Sequence, residues 1–456
     1  MHTAPTWTEA ENAFSRRAMV TDAGADRPPR GIEMRSRVVL FTLLALVAGA
    51  CGNRSGDDDS GAPSADAGED TGADAGSGAG ATDVGVTDGE ITIGVIADLT
   101  GVVPGLFKAA PDAVKAYAAM VNEAGGIHGR QIVVEVFDTG TNDNGNRLAY
   151  EEACDEVFAS VGSESAFDTG GYEAVAACGF PHLAGFTTDD EVAELPFVFP
   201  RISSDYANVG AARWFAQEFP DAVKQAAVVH GNIPVTERSA QELVEARESV
   251  GWEFIHRQPA GTLESNYTPI ALDLKNRGIQ ALTWVFDMNN IVRLQKALRE
   301  QGHTPVIADV TTQGYSQDYL EAVGPAGEGS YVPLTHALLE EAVEIPALEE
   351  YVTWLAEVAP GEEPTSNGLQ AWVRMEMFVE AATAVGPELT RDALLAELEG
   401  MTGFDADGLI PPIDLARPVP ERACFLLAQV RDGTYERVFP DEGFHCSEDD
   451  IYLFGG

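Results

Sequence analysis

Ile91-Thr-Ile-Gly-Val-Ile96 runs into the turn Ala97-Asp-Leu-Thr-Gly101. A stretch at 110–122 with apolar residues at helical spacing follows, closed by Gly125-Gly126, and then comes Gln131-Ile-Val-Val-Glu-Val-Phe137. The two flanking runs are short and rich in β-branched residues, as in strands buried within a parallel sheet. A helix between two such strands is the connection that a parallel pair requires, and its hand is right-handed. The folded part therefore opens as strand, helix, strand, and its class is α/β.

The alternation continues outward from this unit. Strands are expected at 157–161 and 181–184, with helices over 172–177 and 208–218. A second series opens with a strand at 225–229. It continues with a helix at 237–250, a strand at 252–256, a helix at 269–277, a strand at 281–286, a helix at 291–301 and a strand at 305–308. Three helical stretches (346–358, 369–385, 390–398) precede a hairpin formed by 423–430 and 435–439, turned at Arg431-Asp-Gly433. Two successive doubly wound units of similar size point to two α/β lobes. The late helices and the hairpin imply that the chain crosses between lobes more than once.

Upstream, residues 34–51 read Met-Arg-Ser-Arg, then an apolar run over 38–50, then Cys51. A basic segment, a short apolar segment and the small residues Ala48-Gly49-Ala50 make an export signal. The run falls short of the roughly 20 apolar residues that span a bilayer, and no other segment comes closer. Residues 1–33 resemble no signal, so translation is expected to start at Met34, leaving 1–33 as a mis-assigned extension. A cysteine directly after small residues resembles the bacterial lipobox, whose thiol receives diacylglycerol. Ala48 stands where that motif usually has Leu, and a plain secretory signal with an incidental cysteine is the competing reading. Residues 52–87 are mostly Gly, Ala, Ser, Asp and Glu, with little to bury, and read as a flexible acidic tether within a 51–89 segment. Such a coil reaches roughly 35 Å.

The chain carries 73 acidic and 28 basic residues, a formal net charge of -45. That field repels phosphate backbones and argues against a nucleic-acid partner. Beyond Cys51 stand four cysteines, Cys154, Cys178, Cys424 and Cys446. An even number in an exported chain favours disulfides, and three connectivities are open. The local pairing, Cys154 with Cys178 and Cys424 with Cys446, is preferred. A zinc site is disfavoured by the long spacings and by the lack of a His pair.

Ile91–Ile96 (strand), the Leu99-Thr-Gly101 turn, Val121-Asn-Glu-Ala-Gly-Gly-Ile-His-Gly-Arg130 and 134–138 together resemble the opening of branched-chain amino-acid-type substrate-binding proteins. These are type I periplasmic binding proteins that serve ABC importers. Gly179-Phe-Pro181, Phe199-Pro-Arg201 with Asp205, and the helix at 291–302 fall in that family's order, so the resemblance covers about 90–456. It implies two lobes joined by a three-segment hinge, with a small polar solute held between them. Lobe 1 would comprise 90–210 and 336–405, and lobe 2 would comprise 211–335 and 406–456. It also implies the Cys154–Cys178 pairing, an ABC permease as partner, contact with the membrane only through the lipid, and a monomer without cofactor or metal.

Ligands of open parallel sheets sit beyond the carboxyl ends of the strands, beside helix N-termini. Thr100 lies in the first such loop, Ser163 and Ser165 in Gly162-Ser-Glu-Ser165, and Phe186, Thr187 and Thr188 in the next. Their hydroxyls and amides fit a ligand carboxylate, though Ser and Thr at such places also cap helices. The resemblance adds Phe107 as an aromatic wall and Asp205 with Tyr206 near a ligand amino group. In the second lobe it adds Asp287, Met288, Gln313 and Tyr315. There the family's usual Tyr is missing from His230-Gly-Asn-Ile-Pro-Val-Thr236, which leaves the class of solute open among amino acids, amides and related molecules.

A surface hydrolase is the rival from another class. The zinc-protease, serine-elbow, Ser-x-x-Lys and phosphate-loop motifs are all missing from the sequence. Asp405-Ala-Asp-Gly408 does not complete a calcium loop, because Gly403 stands at its first ligand position. A ligand sensor reporting to a membrane receptor has the same two lobes, and nothing in the sequence separates it from a transport component.

Overall fold

The computed structural model describes residues 81–455 apart from 102, 103, 188, 202, 262 and 263. The expectations for 1–80, including Met34, the signal over 34–50, Cys51 and most of the tether, lie outside the described residues, as does Thr188.

The opening unit is β1 (Glu90–Ala97), α1 (Ala109–Glu123) and β2 (Gln131–Asp138), with β1 and β2 parallel along their length. The Asn-Gly-Gly-Ile-His-Gly-Arg stretch is the splice between α1 and β2. Asn122 exchanges two hydrogen bonds with the backbone of Ile132, at 2.8 and 2.7 Å. Gly126 has φ +74°, and a Cβ there would meet the Arg130 carbonyl at 2.0 Å, so only glycine fits. The buried Arg130 guanidinium donates to the carbonyls of Thr87 and Pro387, tying the splice to two distant segments.

The sheet is completed by α2 (Asp143–Glu156), β3 (Ala159–Glu164), α3 (Tyr172–Cys178), β4 (His182–Phe186), α4 (Asp190–Ala193) and β5 (Val198–Phe199). Its order is β2-β1-β3-β4-β5, all parallel. The helix α2 was not anticipated. Its sequence is mostly polar, and it buries only Asn146, Ala149, Tyr150 and Ala153. What starts it is a cap, Asn142 accepting from the Gly145 amide at 2.9 Å.

After β6 (Tyr206–Asn208) and α5 (Gly210–Glu218) the second sheet begins. It takes in β7 (Ala226–Gly231), α6 (Pro234–Glu248), β8 (Phe254–Ala260), α7 (Thr268–Asn276) and β9 (Ala281–Val285). The series runs on through α8 (Met288–Glu300), β10 (Ile307–Asp309), α9 (Gln317–Val323) and β11 (Tyr331–Leu334). Pro333 hid β11 from the sequence reading, since proline within a run argues against a central strand.

Three helices follow: α10 (Pro346–Val358), α11 (Ser366–Val385) and α12 (Arg391–Gly400). The chain ends with β12 (Ala423–Arg431), β13 (Thr434–Phe439), β14 (His445–Ser447) and β15 (Ile451–Leu453). The second sheet runs β13-β12-β11-β10-β9-β7-β8, with β14 beside the start of β12 and β15 paired with β6. The β12–β13 hairpin turns where expected, on Asp432 and Gly433, both at positive φ.

Each sheet carries its own core. On one face of the first, Val95, Val161 and Leu183 pack with α1, α10, α11 and α12. On the other, Ile96, Phe137 and Tyr150 pack with residues of α2 and α3. Burying apolar groups on both faces is what makes these strands continuous β-branched runs. The second core gathers Trp284, Ile291, Tyr319, Val332 and Leu426. Cys154–Cys178 ties α2 to α3, and Cys424–Cys446 ties β12 to β14, which is the local pairing.

Three segments join the lobes. The Arg201 amide donates to the Leu415 carbonyl and the Ser203 amide to that of Pro418, so the first and third crossings run side by side. In the second crossing, Ala337 belongs to the first core and Leu338 to the second. The sequence reading assigned residues from 406 onward to the second lobe. Ala406, Leu409, Ile410 and Leu415 instead pack in the first core, so the last crossing comes between Leu415 and Phe425. The reason is an apolar run that precedes the Pro-rich link, Leu409-Ile410 and Leu415, which caps the α10–α11 layer.

Candidate ligand-binding cleft

Strand order reverses between β1 and β3 in the first sheet and between β7 and β9 in the second. The carboxyl ends flanking such a switch point form a crevice. In the first lobe that crevice is bridged by Asp98, which is fully buried. Its carboxylate accepts from the Ser165 hydroxyl at 2.8 Å and the Ala166 amide at 2.9 Å. It also accepts from the Thr139 hydroxyl, so the loops after β1, β2 and β3 are locked together. Asp168 does the same one strand over, accepting from the Thr187 hydroxyl and, at 3.3 Å, the Asp189 amide.

The loop residues expected from the sequence do converge on this edge, but several are turned inward. Ser163 is buried, and its hydroxyl accepts from the Ile96 amide at 2.9 Å and meets Ser160 at 2.6 Å. A bulge at Gly162, φ +71°, rotates Ser163 toward the α2–α3 side, which single-strand alternation does not foresee. Ser165 and Thr187 spend their protons on Asp98 and Asp168. Thr100 is exposed but donates to Asp138 at 2.5 Å. These four hydroxyls therefore build the loops from within.

Phe186 is left at the surface. The residue ends β4, is 46% exposed, and rests on the buried Phe107 with ring centroids 5.6 Å apart. Leu106, 38% exposed, lies beside Phe107 in the same loop. In the second lobe Ile233, 40% exposed, follows β7. All three apolar groups stand beyond carboxyl strand ends. The helices entered at these loops, α1 and α6, carry no side-chain cap, and the Ala110 amide at the start of α1 donates to the Phe107 carbonyl at 3.2 Å.

In the second lobe Asp287 is exposed and caps α8, accepting from the Asn290 amide at 3.3 Å. Met288 is half-buried against the Ser316 hydroxyl at 3.7 Å, and Gln313 is exposed. Tyr315 departs from the expectation: it is buried, donating to Glu340 at 2.8 Å and accepting from the Leu339 amide at 2.6 Å. It holds the second crossing segment in place. Asp205 and Tyr206 sit on the hinge. Tyr206 pairs with Leu453 of β15 and lines a recess with α6 residues and Phe454, apart from the loops of β3 and β4. A proline-bounded crossing that becomes a strand only by pairing with the last residues of the chain gives no local signal of that placement.

Two groups near the crevice carried no sequence signal. Glu164, the last residue of β3, is 1% exposed, and neither carboxyl oxygen has a hydrogen-bond partner. Burial lifts its carboxyl well above the ordinary range, opposed in part by the Arg374 guanidinium. Arg374 on α11 donates to the Ala184 carbonyl at 2.7 Å, and burial brings it down to about 10, which leaves it charged at neutral pH. His336, after β11, bridges to Ser366 at the start of α11 at 2.7 Å, and burial pushes its imidazole down.

Two α/β lobes, three crossings and a strand-end crevice in each lobe define a two-lobed binding protein. A family model for periplasmic binding proteins matches residues 90–434, and the chain belongs to that family. The family binds solutes outside the cytoplasm and is not one of enzymes. Similar solved structures include the fatty acid ABC transporter substrate-binding protein from Thermomonospora curvata, with a TM-score of 0.67 and 19% identity over 81% of this chain and 95% of that one. The leucine-binding protein LivK from Thermotoga maritima aligns with a TM-score of 0.61 and 16% identity, over 78% of this chain and 98% of that one. LivJ from Streptococcus pneumoniae, solved in complex with isoleucine, gives 0.62 and 14% identity over 77% of this chain and all of that one. No curated protein matches the chain.

Proposed function

We propose that this is an extracytoplasmic lipoprotein that captures a small solute between its lobes and delivers it to an ABC permease. The observation that carries the reading is the half-exposed Phe186 on Phe107, facing strand-end loops whose polar groups are already bonded. A half-exposed aromatic on a rigid floor is a surface awaiting an apolar partner. The positive ends of the α1 and α6 dipoles suit a carboxylate or carbonyl. The solute is thus a molecule with an acceptor head and an apolar body, such as an amino acid or a related amide or carboxylate. The relatives described as binding isoleucine and fatty acids bracket that chemistry. Candidate contacts are Phe107, Phe186 and Leu106 in the first lobe, with Ile233, Asp287, Met288 and Gln313 closing over them. Hinge closure would then present a liganded form to the membrane partner. Export by the 34–50 signal and acylation at Cys51 would hold the protein at the outer face of the membrane.

A thermal-shift screen of the purified protein against amino acids, amides, polyamines, short and long carboxylates and sugars tests this. A true ligand at 100 times its dissociation constant adds about 2.7 kcal/mol, a rise of several degrees. Hits confined to sugars or polyamines would overturn the assigned chemistry. Labelling with a radioactive fatty acid, lost in Cys51→Ser, tests the anchor.

A further inference from the structure

We propose that the second lobe carries another small-molecule site, on the edge opposite the cleft, built to take a small monocarboxylate with an apolar body. A cavity of about 230 Å³ lies between α8 and the strands β10 and β11. Its lining includes Pro305 and Val306, which lead into β10, and Gly329 and Ser330, which lead into β11. These are amino ends of strands, whereas the interlobe cleft lies at the carboxyl ends.

The lining holds a buried donor that the protein leaves unmatched. Trp284 is 1% exposed, and its indole N–H has no acceptor in the protein. His303, on the loop between α8 and β10, also has a buried Nε2 without a partner; its other nitrogen faces the Ile279 carbonyl, so in the neutral ring Nε2 is not a donor. Both residues line the same cavity. On the facing wall the buried Ser330 hydroxyl accepts from Gln295 Nε2 at 2.7 Å. The Gln295 carbonyl is in turn taken by the Tyr319 hydroxyl at 2.6 Å, and the Ser330 and Tyr319 hydroxyls lie 3.4 Å apart, so this wall is satisfied within itself. Arg299 stands at the rim, donating to the Pro325 carbonyl at 2.7 Å and bringing a positive charge in an acidic protein. Between these groups run Leu298, Val306 and Ala308.

An indole N–H buried with no acceptor is costly, and buried donors are otherwise almost always matched. An unmatched indole N–H, with the Arg299 cation at the rim of the same cavity, calls for a molecule that offers an acceptor. Waters could fill a space of this size, so the apolar stretch of wall is what favours an organic body. Glu328, exposed at the rim, disfavours ligands bearing more than one negative charge. A single carboxylate on a compact apolar group satisfies the donor, the cation and the wall together.

The test uses the full protein with labelled tryptophan, reading the indole N–H resonance of Trp284, assigned by its loss in Trp284→Phe. Titration with acetate, butyrate and benzoate is expected to move that resonance saturably, with benzoate or butyrate binding at least tenfold more tightly than acetate. Val306→Trp, an exposed substitution at the cavity wall that spares the core, should weaken the response at least tenfold. Phe186→Ala in the interlobe cleft should leave it unchanged. A Trp284 resonance that moves with none of the three, in a folded protein, means that the cavity holds water only and overturns the proposal. A response that disappears in Phe186→Ala belongs to the cleft, and overturns it equally.

Discussion

The two lobes end their strands in different ways. In the first, the acids behind the crevice are inside: Asp98 is fully buried, Asp168 is 3% exposed, and both are enclosed by hydroxyl and amide donors from neighbouring loops. In the second, Asp287 caps α8 from the surface and Gln313 is exposed, while one acid, Asp309 at the end of β10, is buried on Arg247 and the Thr311 amide. A buried carboxylate bonded to several loops makes a platform that is costly to deform. Surface caps leave loops that can shift as the lobe swings. The first lobe is thus the prebuilt half of the site and the second is the half that closes.

The largest effect expected from this contrast is on stability. Asp98→Ala orphans the Ser165 hydroxyl and the Ala166 amide in a buried place, for a loss of about 3 kcal/mol. Thermal unfolding should drop by roughly 6–10 °C. A loss comparable to that of a surface substitution would break the idea of a locked platform.

On binding, the same contrast ranks the two apolar walls. Burying the exposed half of Phe186 against a solute is worth about 2 kcal/mol, so Phe186→Ala should weaken the best ligand roughly 30-fold in calorimetry. Ile233→Ala, on the closing side with less to bury, should cost about tenfold or less. The reverse order would make the second lobe the primary platform.

The sequence and the structure agree best where neighbouring residues make the signal. The β-branched runs at β1 and β2, the glycine splice between them, the Asp432-Gly433 turn and the local disulfides were all legible. Residues whose direction depends on a partner far along the chain were not. A bulge turned Ser163 inward, Asp98 drew Ser165 into the loop interior, and β15 drew Tyr206 onto the hinge from nearly 250 residues away. Spacing placed these residues at the right strand ends but could not say which atoms they would face. Glu164 and Arg374 left no trace at all, because buried polar groups from distant segments share no periodicity.

Glu164 sharpens the picture of the platform through pH. Its carboxyl is held well above the ordinary value of 4.5, so the folded state keeps a proton that the unfolded chain releases. The unfolded state therefore gains as pH rises past 4.5, and stability falls until the folded carboxyl itself ionises. Glu164→Gln removes this dependence while leaving the shape. In denaturant unfolding the substitution should stabilise the protein more at pH 8 than at pH 5. Equal shifts at both pH values would mean that Glu164 is bonded rather than protonated.

The smallest effect separates the two roles available to Asp287. As the cap of α8 it accepts from the Asn290 amide and from the Asn290 side chain. Asp287→Ala should therefore cost about 1 kcal/mol of stability whether or not a ligand ever meets it. Serine also caps helices, so Asp287→Ser restores most of that loss while removing the charge. If the solute carries an amino group that pairs with this carboxylate on closure, both variants bind several-fold more weakly, and only the alanine variant is less stable. If the residue is a cap alone, the serine variant binds like the wild type, and the closing lobe then holds its solute through Ile233 and Met288, without a charge of its own.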